Sequence, residues 1–371
     1  MVPEINDCVS ICPMTIYASD ILNDCPTALC RSQTSKGNTT GKNDMNNTYE
    51  IIRRQVTSLL LFYSQDNKNT FLILGTTNGE VLFIPLDDTK ETSDISKHEI
   101  SSSSPVTALA FGKITSQEGP EVVAICADGT TVALNPPNLV GTWVPDLVFE
   151  QRLQANITTA FITDIDKDNH QELVAVLTDR VVRTFRWSQN DKRLLPINKW
   201  EVPCQITAFG IGEGMNRKME VWLSQLDNTY YACLPLSGKS EVNICRHNCY
   251  RDRALMAIPA KTDFTSVLGS LINHVVIVSN NQEKVLRHFG WPVIATSIVN
   301  FSHFTVIITL HLRGQVLLYA FSNKTGLKES EVYPYEKFTS LPASERLYAI
   351  PKNYSVLIGV SDCEGRYVVI T

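Results

Sequence analysis

The sequence predicts an all-β protein, a seven-bladed β-propeller, on three observations. The first is a hairpin pattern, an apolar run followed by a polar turn and a second β-rich run, that recurs about every 50 residues. The second is a short strand-like segment with a threonine near its start, which precedes most copies of the hairpin. The third is that helical periodicity is scarce. A repeat of about 40–50 residues with four strands is typical of a propeller blade.

The hairpin copies are regularly spaced. They cover residues 71–84, 121–134, 172–185, 220–233, 304–319 and 355–370, with a weaker copy at 274–289. Their turns contain Gly, Asn or Asp, which tolerate the positive φ angles that hairpin turns require. The spacing is 50 residues from Gly79 to Gly129 and 51 residues from Gly129 to Arg180. A β-sandwich, the alternative architecture, does not explain this repeat well, because its turns follow at shorter intervals.

The ring is expected to close with strands from both ends of the chain, because an open blade would leave unpaired sheet edges. Residues 49–56 (YEIIRRQV) are predicted to add the outer strand to the last blade. Residues 1–48 are predicted to be a largely disordered N-terminal extension, since residues 31–48 contain almost nothing that could be buried. Residues 49–371 are the predicted propeller domain.

Composition and charge narrow the classes of function. A net charge of −5 gives no reason to expect a nucleic-acid partner. No apolar run reaches the roughly 20 residues of a membrane span, and the N-terminal segment does not resemble a signal peptide. A cytoplasmic protein without direct membrane insertion is therefore expected. Cys245 and Cys249 flank His247, but a zinc site would need a second ligand pair nearby, so reduced cysteines are the preferred interpretation.

An acidic loop precedes the hairpin of the third unit. Its candidate metal ligands are Asp164, Asp166, Asp168, Glu172 and the backbone carbonyl of His170. Oxygen ligands in this number and spacing suit calcium, although Asn169 stands where calcium loops usually have Gly. In the alternative interpretation the aspartates accept hydrogen bonds from loop amides and hold a metal-free turn. The metal-free turn is preferred, so no cofactor is predicted, and a single Ca²⁺ at a vestigial loop is the alternative.

The hairpin after this loop carries three arginines. A two-residue turn at Asp179-Arg180 predicts that Val176 pairs with Arg183. Arg183 would then share a sheet face between blades with two aromatic residues, and the predicted structural set is Arg183, Phe185 and Trp187. The candidates for contact with a protein partner are Arg180 and Arg186.

These residues carry a resemblance to a known family. Residues 162–187 (ITDIDKDNHQELVAVLTDRVVRTFRW) resemble an FG-GAP repeat, the blade unit of the integrin α-chain propeller. More narrowly, residues 178–187 (TDRVVRTFRW) and 197–202 (INKWEV) resemble the intracellular FG-GAP propellers of the KICSTOR complex. The likeness is tight over about 157–202, is limited to the FG-GAP-like or WD40-like pattern in the other blades, and is absent from residues 1–48.

The resemblance implies a scaffold that is not an enzyme. Such a subunit would help recruit the Rag GTPase-activating complex to the lysosomal surface and restrain target-of-rapamycin complex 1 when amino acids or glucose are scarce. The implied partners are a kaptin-like propeller, a large seizure-threshold scaffold protein, a linker subunit and the Rag GTPase-activating complex. Two alternatives stay open: an extracellular calcium-dependent adhesion propeller, and an enzyme, although no H-E-x-x-H, G-x-S-x-G or P-loop motif is present.

Overall fold

The structure of the chain is a computed structural model built almost entirely from antiparallel β-strands. It describes residues 17–21, 27–31, 51–52, 56–63, 70–85, 95–115, 119–137, 144–213, 219–225, 230–236, 239–243, 254–258, 266–270, 274–279, 282–288, 293–301, 304–322, 335–338, 344–352, 355–362 and 367–370. The zinc alternative at Cys245 and Cys249 lies outside these residues.

The described strands number thirty, and one 3-10 helix spans Leu312–Gly314. In chain order the strands are β1 (Tyr17–Ile21), β2 (Thr27–Arg31), β3 (Ile51–Ile52), β4 (Val56–Tyr63), β5 (Thr70–Thr76), β6 (Glu80–Pro85), β7 (Ser96–Glu99), β8 (Val106–Gly112), β9 (Glu121–Cys126), β10 (Thr130–Asn135), β11 (Asp146–Arg152), β12 (Ile157–Thr163), β13 (Glu172–Leu177), β14 (Val181–Ser188), β15 (Arg193–Glu201), β16 (Ile206–Glu213), β17 (Met219–Gln225), β18 (Tyr230–Leu236), β19 (Lys239–Asn243), β20 (Ala254–Ile258), β21 (Ser266–Ser270), β22 (His274–Ser279), β23 (Gln282–His288), β24 (Val293–Asn300), β25 (Phe304–His311), β26 (Gln315–Ser322), β27 (Tyr335–Phe338), β28 (Ser344–Lys352), β29 (Ser355–Asp362) and β30 (Tyr367–Ile370).

These strands form seven antiparallel sheets, six with four strands and one with six. Blades 1 to 6 are β4–β7, β8–β11, β12–β15, β16–β19, β20–β23 and β24–β27, and blade 7 contains β28–β30. The first strand of a blade lies innermost, and the first strand of blade 7 contacts that of blade 1. The predicted all-β propeller is confirmed, and the seven sheets agree with the seven predicted blades.

Strands from both ends of the chain meet in blade 7, as predicted, but two further strands lie between β30 and the segment 49–56. The strand that pairs with β30 is β1, followed outward by β2 and β3. Residues 51–52, within the segment 49–56 that is predicted to add the outer strand, form β3 at the outer edge of this sheet, and Val56 already begins β4 of blade 1. The free edge of β30 is thus paired by an earlier segment, which lies inside the predicted extension 1–48.

The weakest hairpin copy also differs from its prediction. The segment at 274–289 contains β22 and β23, which are the third and fourth strands of blade 5. In blades 1 to 3 the predicted hairpin forms the second and third strands instead. Blade 5 begins with β20, which the hairpin pattern did not reveal, so β21 before the hairpin is the second strand of this blade.

A repeated threonine joins neighbouring blades at the centre of the ring. Each first strand has a register shift near its start, and in blades 1 to 3 the unpaired residue there is Thr57, Thr107 or Thr158. The Thr107 hydroxyl donates to the carbonyl of Ile157 in blade 3 (2.6 Å), and the carbonyl of Ile125 in its own blade lies 3.2 Å away. The bulge changes the direction of the threonine side chain, so that one hydroxyl lies within hydrogen-bond distance of backbone carbonyls in two neighbouring sheets.

Thr57 makes the same contacts one blade earlier. Its hydroxyl lies 2.6 Å from the carbonyl of Val106 in blade 2 and 3.1 Å from that of Gly75 in its own blade. Thr158 donates to Val176 of its own blade (3.1 Å). The threonines that the sequence places 50 and 51 residues apart therefore hold equivalent positions in three consecutive blades.

The second and third strands of several blades are joined by three-residue loops. In blades 1, 2 and 6 the loop ends in Gly79, Gly129 or Gly314, with φ of 76°, 92° and 75°. Blade 3 has the same loop length, because Val176 pairs with Val182 and Ala175 with Arg183. The predicted two-residue turn, which paired Val176 with Arg183, is therefore wrong by one residue. A three-residue loop with its last residue at positive φ is a standard hairpin connection.

Apolar side chains fill the spaces between adjacent blades. Between blades 2 and 3 the fully buried residues include Ile125, Ile157 and Leu173, and a second cluster between blades 3 and 4 includes Val182 and Trp200. Because successive residues of a strand point to opposite faces, each middle strand contributes to the cores on both of its sides. This packing against both neighbours fixes blade 3 and its loops in place.

The bridging hydroxyl gives a first prediction. Thr107→Val keeps the shape of the side chain but removes the donor shared by two backbone carbonyls, so we expect the free energy of unfolding to fall by about 1–2 kcal/mol. Chemical denaturation would measure it. Thr159→Val is the matched control, since that hydroxyl reaches only the carbonyl of Thr158 beside it (2.7 Å), and its effect should stay within about 0.5 kcal/mol. Equal effects of the two variants would contradict a bridging role.

Candidate functional site

A buried glutamate begins the second strand of blades 2 and 3. Glu121 starts β9 and Glu172 starts β13, with 0% and 1% of their surface exposed. Each accepts a hydrogen bond from the backbone N–H seven residues earlier, Ile114 at 2.8 Å and Ile165 at 3.0 Å. In both blades the carboxylate therefore fastens the loop between the first and second strands from inside.

The acidic loop of blade 3 folds around Asp164. The backbone N–H groups of Asp168 and Asn169 donate to its carboxylate at 3.0 and 2.8 Å. Lys167 and Asn169 adopt positive φ angles of 62° and 69°, a region that Asn tolerates better than most residues. Asp168 in turn accepts the backbone N–H of His170 at 2.9 Å, with the His170 ring 3.4 Å away. The loop thus satisfies its own amides, as in the preferred metal-free interpretation.

Arg186 of β14 contacts three carboxylates in and beside this loop. Its Nε donates to Glu172 Oε1 at 2.7 Å. Its two terminal nitrogens lie 2.9 Å from Asp166 and 2.9 Å from Asp168. Arg186, predicted as a candidate partner contact, is therefore placed in an internal ion-pair network, with 32% of its side chain exposed. Charge-assisted hydrogen bonds of this kind are about twice as strong as neutral ones.

The pKa values in this network reflect burial and charge together. Burial raises the pKa of Glu172 above its ordinary value, and the hydrogen bonds from Ile165 and Arg186 only partly oppose it. Burial also acts to raise the pKa of Asp168, but the backbone N–H of His170 and the Arg186 charge outweigh it and lower that pKa. The pKa of Arg186 is raised: burial opposes its charge, but Glu172 and Asp166 outweigh that effect. Arg186 and the backbone N–H of Ile165 therefore both favour the ionised form of Glu172 against the effect of its burial.

The residues present fit a guanidinium better than a calcium ion. One ligand atom each from Asp164, Asp166 and Glu172 lie within 4.8 Å of one another, close enough to share a cation. However, Asp166 and Glu172 already bind Arg186, and Asp164 accepts two amides. A metal would have to displace these contacts before it could use the oxygen ligands that calcium requires.

Two glutamines, which sequence reasoning missed, tie this loop region to blade 2. The side-chain oxygen of Gln171 accepts the backbone N–H of Lys113 at 2.7 Å. Gln189, in the loop after β14, donates to the carbonyl of Thr115 at 2.7 Å. Neither residue belongs to a recognisable motif, and only the packing of neighbouring blades brings each to its backbone partner. The acidic loop is therefore part of a continuous surface across two blades.

The remaining predicted residues lie on the hairpin of blade 3. Phe185 is buried between blades 2 and 3, and Trp187 stacks on Phe149 of blade 2 with ring centres 4.8 Å apart. Arg183 lies on the same face of β14 as Phe185, since alternate residues share a face. Arg180 ends the hairpin loop at φ 78°, and its guanidinium donates to the carbonyl of Pro203 at 2.9 Å.

A central cavity of about 480 Å³ lies among the first strands of the blades. Its described lining consists of uncharged residues, with hydroxyls from Thr57, Thr107 and Thr158 and aromatic rings from Phe111 and Phe161. Those threonines already donate to backbone carbonyls. Among the described residues, no helix is both long and apolar enough to cross a membrane.

The ring of four-stranded sheets, with an acidic loop after the first strand of blade 3, defines the class of protein as an FG-GAP-type β-propeller. The family described as integrin-alpha FG-GAP repeat-containing protein 2 matches residues 90–280, just over half of the chain. The chain belongs to this family.

Curated relatives agree with this family assignment, and solved structures agree with the fold. Proteins named KICSTOR complex protein ITFG2 are 27% identical over 180 residues in Mus musculus and over 172 residues in Bos taurus. The matched part is 44% and 42% of this chain, and only 40% and 31% of those relatives' lengths. Two crystal structures of BBS1N in complex with ARL6DN, soaked with lead or mercury, match the fold with TM-scores of 0.58 and 0.61. They cover 85% and 86% of this chain and 92% of each matched chain at 9% and 10% identity, so they support the fold alone.

Removing the guanidinium gives a second prediction. Arg186→Leu leaves the buried Glu172 without its ionic partner, so we expect the free energy of unfolding to fall by about 1–3 kcal/mol. Adding Glu172→Gln to this variant should recover part of the loss, because an amide needs no counter-charge. Arg193→Leu, at an exposed position of β15, is the control and should change stability by less than about 0.5 kcal/mol. A loss no larger than that of the control would contradict the network.

Calcium gives a third prediction. The melting temperature of the unaltered chain should be the same with a chelator and with calcium on the order of 1 mM, because a ligand stabilises only when it binds the folded state. In Arg186→Leu the carboxylates lose their guanidinium, so calcium should raise the melting temperature of that variant. A calcium-dependent rise in the unaltered chain would show that the loop binds metal despite Arg186.

Proposed function

We propose that the chain is a non-catalytic scaffold subunit of a KICSTOR-like complex. In this role it helps recruit the Rag GTPase-activating complex to the lysosomal surface and so restrains target-of-rapamycin complex 1 when amino acids or glucose are scarce. The observation that carries the proposal is the family match over residues 90–280, which includes the acidic loop and hairpin of blade 3. The curated relatives bear the name of this complex.

The structure of the propeller supports binding over catalysis. The described lining of the central cavity offers no titratable side chain, whereas general acid–base or nucleophilic catalysis requires one in reach of a substrate. The carboxylates of the acidic loop are bound to Arg186 or to loop amides and are therefore not free to act on a substrate. These observations also disfavour the calcium-dependent adhesion propeller, which needs its acidic loops available to metal.

Co-purification tests the proposal, which is the fourth prediction. The tagged chain, expressed in cells, should bring down a kaptin-like propeller, a large seizure-threshold scaffold protein and a linker subunit. Isolated lysosomes should carry it in the presence of these partners and lose it when the large scaffold protein is removed. Absence of both the kaptin-like propeller and the large scaffold protein from the purified material would rule out the proposed complex. Thr159→Val, which is expected to leave the fold intact, serves as the control for tag and expression.

A further inference from the structure

We propose that blade 3 binds an acidic segment of a protein partner at a cationic patch formed by Arg180, Arg183 and Lys199. We call these three residues the blade 3 patch. This proposal rests on the proposed function in one respect, namely that the chain binds protein partners. What it adds is the chemical character of one partner segment. Its basis is a comparison of blade 3 with blades 1, 2 and 6, whose hairpins have the same loop length.

The last residue of the hairpin loop is the first departure of blade 3 from its neighbours. Blades 1, 2 and 6 have glycine there, at φ between 75° and 92°, whereas blade 3 has Arg180 at φ 78°. A residue with a side chain is strained in this region by roughly 1 kcal/mol, a cost that glycine avoids. Arg180 is half exposed, with 48% of its side chain accessible. Blade 3 therefore places an accessible cation where the backbone favours glycine.

The third residue of β14 is the second departure. The equivalent residues of blades 1, 2 and 6 are Leu82, Val132 and Leu317, which are 4%, 0% and 3% exposed. Blade 3 has Arg183 at this position, facing blade 2 between the buried Val181 and Phe185. Its Nε is buried and has no hydrogen-bond partner among the described residues. A buried donor left unpaired is unfavourable by about 1–3 kcal/mol, so Arg183 destabilises the fold at a position where the other blades have an apolar residue.

Lys199 adds a third cation directly opposite Arg183. The two residues are paired across β14 and β15, so their Cβ atoms lie about 5 Å apart on one sheet face, and like charges in this position repel. The nearby carboxylate of Glu201 lies 3.4 Å from Lys199 and 3.7 Å from Arg180. Even with the exposed Asp179 of the loop counted, three cations face two acidic residues. The patch therefore carries a net positive charge, which favours a negatively charged ligand.

An acidic peptide fits this patch better than a densely charged surface. The chain has a net charge of −5, which would oppose the approach of an extended anionic surface such as a membrane, whereas a short peptide meets chiefly the local cations. Two residues before Lys199, on the same outer strand, Ile197 exposes 44% of its surface. A segment with one or two carboxylates next to an aliphatic side chain would match both features.

Peptide binding to the full chain tests the proposal. The probe is a fluorescein-labelled peptide, blocked at both ends, with two glutamates beside a leucine, and its control has glutamines in their place. Fluorescence anisotropy at about 50 mM salt should show binding of the glutamate peptide only, weakened at higher salt. Arg183→Leu and Lys199→Gln should each weaken it by about tenfold or more. Lys97→Gln is the matched control, because Lys97 lies at the equivalent place in blade 1, opposite Leu82 and 3.0 Å from Glu99.

Several results would overturn the proposal. One is equal binding, or equal lack of binding, of the two peptides. Another is an unchanged affinity for the glutamate peptide in both the Arg183→Leu and the Lys199→Gln variants. Lys199 is exposed, so its variant remains informative even if Arg183→Leu misfolds. Binding through these residues to vesicles containing phosphatidylinositol 4-phosphate, without peptide binding, would identify a lipid site instead. Loss of peptide binding in variants that still co-purify with the KICSTOR-like partners would leave the proposed function intact, so the two failures are distinguishable.

Discussion

The hydroxyl of a bulged threonine, shared between two blades, is the interaction on which the rest of this propeller depends. Thr57 and Thr107 each reach the first residue of the next inner strand at 2.6 Å, across 49 and 50 residues of sequence. These bonds fix the height of one blade relative to its neighbour. Because the blades are held in a common register, a position in one blade corresponds to a position in another. That correspondence makes the departures of blade 3 interpretable.

Blade 3 departs from its neighbours at both ends of the same hairpin. At one end, Arg186 binds the carboxylates of an acidic loop that blade 2 lacks, although blade 2 keeps the buried glutamate beneath it. Arg186 there occupies the place that a bound cation would take, since its single positive charge contacts Asp166, Asp168 and Glu172. At the other end, Arg180 and Arg183 replace glycine and an apolar residue, and neither finds a buried carboxylate. The first cation stabilises the fold. Arg183, in contrast, has a buried donor without a partner among the described residues, and Arg180 has a backbone angle that favours glycine.

The repeat and the strand alternation made the fold predictable from the sequence. The hairpin register was not predictable to the residue, because Asp179-Arg180 resembles a two-residue turn and only the pairing of Val176 with Val182 reveals the longer loop. The closing strand β1 was missed because residues 49–56 have an equally β-rich pattern and lie nearer to blade 1. The role of Arg186 was also beyond the sequence, since the contact depends on a loop 14–20 residues away folding back onto β14.

Blade 3 is thus expected to retain arginines that its own fold does not need. The most direct measurement is the free energy of unfolding of a chain in which blade 3 carries the residues of blade 1, Arg180→Gly together with Arg183→Leu. If the arginines serve a ligand, this variant should be more stable than the unaltered chain by about 1 kcal/mol or more, because it loses a strained residue and a buried unpaired donor. A variant that is less stable than the unaltered chain would show that the two arginines hold the blades together, and the account would be wrong.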